Sequence, residues 1–181
     1  MPHLFARKVN PTYLSEASAY LKENYESPNR VVRYSLKASY NPQSIDEAMK
    51  KQSESIGHAE DDKTLNRYIN ATFVDHLCEY IRQRDMKDPQ VYRAAHLDRR
   101  LFSKMMSGSK YQPAKDTAIA LAFALRLNLN EVTELLFSAG YTLSHSIQRD
   151  VIIEYFFRAG IYDLSDINAV LEEMGQKEIG R

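Results

Sequence analysis

From residue 61 onward, apolar residues return every three or four positions over most of the chain. That spacing is the period of helices buried on one face. Leu65, Ile69, Phe73, Leu77 and Ile81 recur at intervals of four, with Tyr68 and Tyr80 beside them. They predict a helix over about 62–83, interrupted near 70–72. Next come Asp88, an N-cap, and Pro89, a first helical residue, with Val91 and Ala95 on one face. Leu97 fills a short turn and Asp98 caps again. Leu101, Phe102 and Met105 then give the following helix an apolar stripe that ends at Gly108. Lys115 to Leu127 is apolar on nearly every face, which places that helix at the centre of a core. Val132, Leu135, Leu136 and Ala139 predict a helix capped by Asn130 and ended by Gly140. Two more follow, Gln148–Ala159 ended by Gly160 and Leu164–Met174 ended by Gly175. The last three helices, each stopping at glycine and joined by short connectors, read as an all-α bundle.

Residues 1–60 follow a different pattern. Four of the six prolines lie there (2, 11, 28 and 42). Leu14, Ala17, Leu21 and Tyr25 predict one short helix after Pro11. Residues 30–36 read as extended. Ile45, Ala48, Met49, Gln52 and Ile56 predict a second helix, with Ser44 and Glu47 as a capping box and Gly57 as its end. The expected division is an irregular, partly helical N-terminal arm, 1–60, and a helical domain, 61–181. The arm is expected to pack on that domain, pair with a second subunit or bind a protein partner.

Composition narrows the picture. At 181 residues with 44% apolar content, the chain has room for one core and a smaller part. Its single cysteine, Cys78, rules out an intrachain disulfide and reads as a small buried residue. The first residues lack a secretory apolar segment, and no run reaches the roughly 18 apolar residues of a membrane span. A cytoplasmic protein away from the membrane is expected. Formal net charge is zero, but unevenly spread. Lys87 to Lys115 holds seven Lys/Arg against two Asp, a net of +5; Asp116 to Arg181 holds five against ten Asp/Glu, a net of −5. The five histidines (3, 58, 76, 96 and 145) are scattered. There is no Gly-rich phosphate loop, no spaced Cys/His ligand set and no nucleophile motif. His76 reads as a packing or surface residue, and Ser144-His145-Ser146 as the start of the helix at Gln148. No enzymatic activity and no cofactor are expected.

The stretch 88–108 resembles the helix-turn-helix of the phage-repressor (Xre/Cro-like) family and aligns with it without a gap. The likeness runs from about Thr72 to Phe137, through Pro113, Thr117, Leu121-Ala-Phe-Ala-Leu125 and Asn130–Leu136. Ala139-Gly-Tyr-Thr-Leu-Ser-x-Ser146, Tyr155-Phe-x-x-x-Gly-Ile-Tyr-Asp163 and Asp166-Ile-Asn168 resemble a C-terminal repressor-like module that bacteria also append to other domains. The resemblance implies a repressor-like bundle with two additional C-terminal helices. It also implies a DNA-binding regulator, acting as a homodimer on double-stranded DNA, with its second motif helix (98–107) in the major groove. By the same alignment, Arg99, Arg100, Ser103 and Lys104 would read bases, while Lys87, Lys110, Tyr111 and Lys115 would touch phosphates. Three positions differ from the family pattern. Tyr92 stands where a small residue lets the two helices approach, His96 where the turn has glycine, and Asp88 where a glutamine often faces DNA. His96 is therefore expected to adopt a left-handed backbone. The alternative function is a protein-interaction adaptor that reuses the same fold.

Overall fold

A computed structural model describes residues 9–27, 71–108 and 111–180. By their contacts, residues 1–26 and 72–181 form one unit and 27–71 another. Among the described residues there are eight α-helices, all in the first unit, and no strand; the fold is all-α. The extended stretch at 30–36, the helix at 44–57, the first part of the 62–83 helix and Lys110 lie outside the described residues.

Helix α1, Pro11–Asn24, starts where Asn10 Oδ1 accepts from the Thr12 amide at 3.0 Å and proline occupies the first turn. Helix α2, Phe73–Gln83, begins with a capping box: Thr72 Oγ1 accepts from the Asp75 amide, and Asp75 Oδ2 accepts from the Thr72 amide at 2.8 Å. The second part of the helix expected over 62–83 thus starts at this cap. The buried face of α2 is Phe73, Val74, Leu77, Tyr80 and Ile81. Cys78 lies off that face and is exposed, contrary to its reading as a core residue.

Helices α3, Asp88–Ala94, and α4, Arg99–Met106, occupy the stretch read as a helix-turn-helix. The cap of α3 is Lys87 rather than Asp88; Gln90 Oε1 accepts its amide at 2.7 Å, and Asp88 falls in the first turn. The α5 helix, Lys115–Ala124, is buried throughout from Ala118 to Ala124. Its apolar circumference is accounted for by neighbours on several sides: α3, α6 and, through Phe123 stacked on Phe157 at 3.9 Å, α7. Each fully buried Leu, Ile or Phe contributes about 1.5–3 kcal/mol, and α5 supplies three, Ile119, Leu121 and Phe123.

Helix α6, Leu129–Ser138, is capped by Asn128, not Asn130; Asn128 Oδ1 accepts from the amides of Asn130 and Glu131. Two polar contacts tie α6 to α2: Tyr80 to Glu134 at 2.8 Å and Arg84 to Glu131 at 2.6 Å. Helices α7, Gln148–Ala159, and α8, Leu164–Glu173, end as the pattern predicts, with Gly160 and Gly175 in left-handed conformations (both φ +68°). At the far end, the buried amide of Asn168 bonds Ile179 twice, donating to its carbonyl at 3.0 Å and accepting from its N–H at 2.8 Å. Arg149 reinforces this by donating to the carbonyls of Lys177 and Glu178.

α1 packs on α7 and α8. Ala17 is fully buried, and Tyr13 meets Phe156 edge-on. The rest of the contact is polar. Glu154, almost buried, accepts from Tyr20 at 3.0 Å and Arg158 at 2.8 Å, and pairs with His145 at 2.7 Å. Tyr155 donates to Glu16 at 2.5 Å, and the Glu26 amide to the His145 carbonyl at 2.9 Å.

Candidate nucleic-acid interface

An eight-residue helix has room for two faces. On α4, Phe102 and Met105 point into the core, while Arg99, Arg100, Ser103 and Lys104 are exposed. Arg99 and Ser103, and Arg100 and Lys104, are i,i+4 pairs, so the four form two adjacent ridges on the outer side. The helix starts at Asp98, whose Oδ1 accepts from the Arg100 amide at 2.7 Å. One of the two acids in this basic stretch is thus consumed in capping. The other, Asp88, is exposed in the first turn of α3, where the helix dipole favours an acid.

The turn between the helices is built on the positions that differ from the family pattern. His96 has φ +53°, the left-handed conformation expected of it. The Leu97 amide reaches back to Tyr92 O at 2.8 Å and the His96 amide to Arg93 O at 3.1 Å, the bonds of a Schellman end. Tyr92 is half-buried, and its ring packs on Phe102 at 5.9 Å and 53°. An aromatic pair therefore joins α3 to α4 where a small residue was the family expectation.

Pairing separates most of the basic residues into two groups, with Lys22 and Arg126, exposed and in no ion pair among the described residues, outside both. Outside the motif, Arg82, Arg84, Arg149, Arg158 and Lys177 all lie against carboxylates. Within it, no carboxylate among the described residues pairs with Lys87, Arg93, Arg99, Arg100 or Lys104, all exposed. Lys115 belongs with the first group: its Nζ lies 2.5 Å from Asp150, which is only 2% exposed and also accepts from the Ser144 amide. Tyr111 packs half-buried at the edge of the core, its amide on Gly108 O at 2.9 Å.

Of the eight candidates, five are exposed on these two elements: Arg99, Arg100, Ser103 and Lys104 on one side of α4, and Lys87 at the head of α3. Arg93, exposed on α3, was counted in the charge of the stretch but not singled out; its signal was charge alone. No group of three His, Cys, Asp or Glu among the described residues is placed to hold a metal, and no described helix is long and apolar enough to cross a membrane. Searches against family models, curated proteins and solved structures found no match to this chain.

Proposed function

We propose that the chain is a DNA-binding regulator of the repressor-like type and that α4 reads the major groove. The observation that carries this reading is the gathering of unpaired, exposed cations on α3 and α4, in a unit whose other basic residues are mostly neutralised. Unpaired cations on one surface are the footprint of a phosphate-binding face. Arg99 and Arg100 have the fork geometry that clamps guanine O6 and N7. Ser103 and Lys104 extend the same face. Lys87 and Arg93 take the phosphate role at its flank, with Tyr111 and Lys110; Lys115, held by Asp150, does not. The regulator acts as a dimer on a two-fold site.

The test is fluorescence anisotropy on the DNA upstream of this protein's own gene, against a scrambled duplex, over a salt series. Binding is expected to weaken with a slope of about −0.9 log unit per phosphate contact. Arg99→Ala/Arg100→Ala is expected to abolish the preference for the upstream sequence, each bidentate contact being worth ~1–3 kcal/mol. A folded protein that binds neither duplex at low salt would overturn the reading. One observation favours the second reading, a protein adaptor: Phe137 on α6 is 80% exposed, an aromatic group of the kind enriched at protein interfaces.

A further inference from the structure

A cavity of about 350 Å³ opens where α3, α5 and α7 end and α8 begins. All three helices finish there in the same way. The Leu97 amide bonds Tyr92 O at 2.8 Å, Leu127 bonds Ala122 O at 3.1 Å, and Ile161 bonds Phe156 O at 3.0 Å, each closing a turn through a left-handed residue. Those residues are His96, Arg126 and Gly160, with φ of 53°, 50° and 68°, and all three line the cavity. Only one is glycine. An arginine is disfavoured in that conformation on local grounds, and Arg126 is exposed with no carboxylate partner among the described residues. Asp163, also in the lining, caps α8 through Oδ1 alone, accepting from the amides of Ser165 and Asp166. A guanidinium and a carboxylate thus line one cavity without pairing with each other.

We infer that this cavity binds a small zwitterion, a free α-amino acid. The Arg126 fork matches a carboxylate. An ammonium group finds Asp163 and the carbonyl ends of three helices, where the macrodipoles concentrate partial negative charge. Tyr162, half-buried and packed on Phe123 at 6.5 Å, supplies the apolar flank for the rest of the molecule. A simple anion meets Asp163 and three helix C-termini against the one N-terminus of α8; a simple cation meets Arg126. A molecule with both charges satisfies both sides. The occupant also touches Ala94 and His96, the end of α3 and the turn before α4. Its effect on DNA binding rests on the reading above, but its binding does not.

The experiment is isothermal titration calorimetry of the full chain with each common α-amino acid in turn, beside acetate and methylamine as single-charge controls. Saturable binding of at least one amino acid is expected, weakened about tenfold or more in Arg126→Gln and in Asp163→Asn, each of which loses a charge-assisted contact. Asn keeps a capping oxygen, so α8 still starts at the same place; a thermal melt checks that both variants fold. No saturable heat from any amino acid would overturn the inference. So would binding that both variants leave unchanged, or acetate binding as tightly as the amino acid. The anisotropy experiment is unaffected by any of these results, so the two readings fail separately.

Discussion

At His96 the backbone carries φ +53° on a residue with a Cβ. The left-handed region costs an L-residue about 1 kcal/mol that glycine does not incur. His96→Gly is therefore expected to raise stability by about 1 kcal/mol, read as a higher urea midpoint with an unchanged slope. A lower midpoint would mean that the imidazole makes contacts worth more than the backbone strain. This position was legible before the structure because the turn pattern of the resembled family puts glycine there. The caps of α3 and α6 were less legible. Asp88 and Asn130 have capping chemistry, but so do their neighbours, and Gln90 and Glu131 reach back to fix the caps at Lys87 and Asn128. Cys78 shows another limit of the single residue. It is adjacent to Leu77 in sequence, and one step along a helix turns a side chain by about 100°, enough to leave the buried face.

Among the elements, α1 is held differently from the others. Its contact with α7 depends on ionisable groups, and their shifts define a pH window. Burial alone pushes the Glu154 carboxyl up, but hydrogen bonds from Arg158, His145 and Tyr20 outweigh it and leave the group below its ordinary value of 4.5. A depressed carboxylate contributes stability that is present above the ordinary value and is lost as pH falls through the folded one. Burial, and then the hydrogen bond to Glu16, raises the Tyr155 phenol well above 10.0. Burial, and then Glu154, raises Tyr20 as well. A raised phenol contributes below its ordinary value and loses that contribution as pH climbs through the folded one. Hydrogen exchange is therefore expected to show α1 amides losing protection below pH 4.5 and again above pH 10, while those of α5 persist. Tyr155→Phe should weaken the alkaline change; loss of protection in α1 and α5 together at every pH would sink the idea. The existence of α1 was readable from Leu14, Ala17 and Leu21. Its docking was not, because Tyr20–Glu154 and Glu16–Tyr155 join residues more than a hundred positions apart, and no local periodicity reports such a pair.

For the whole molecule, charge is the organising quantity. The +5 and −5 halves of the helical region were legible from residue counts. What the count missed is which charges are already matched: Lys115 with Asp150, Arg149 and Lys177 with Asp116, Arg84 with Glu131. Those pairings leave most of the unmatched cations of the described residues at α3 and α4, with Arg126 and Lys22 elsewhere. They also tie the last residues to the core, since Arg149 holds both Asp116 and the carbonyls of Lys177 and Glu178. The two hydrogen bonds between Asn168 and Ile179 complete that attachment. Its consequence concerns cleavage. The Lys177 side chain is 68% exposed, so trypsin can see it, but a protease must draw several residues of extended backbone into its cleft. Here that backbone is pinned by a buried amide, and its release would strand the Asn168 side chain without partners, at about 1–3 kcal/mol. Limited trypsin digestion is therefore expected to spare the bond after Lys177 while cutting at other exposed basic residues, and Asn168→Ala to open it. Early cutting there in the unaltered protein would show that these residues are a loose end; survival would show that they work as a rivet.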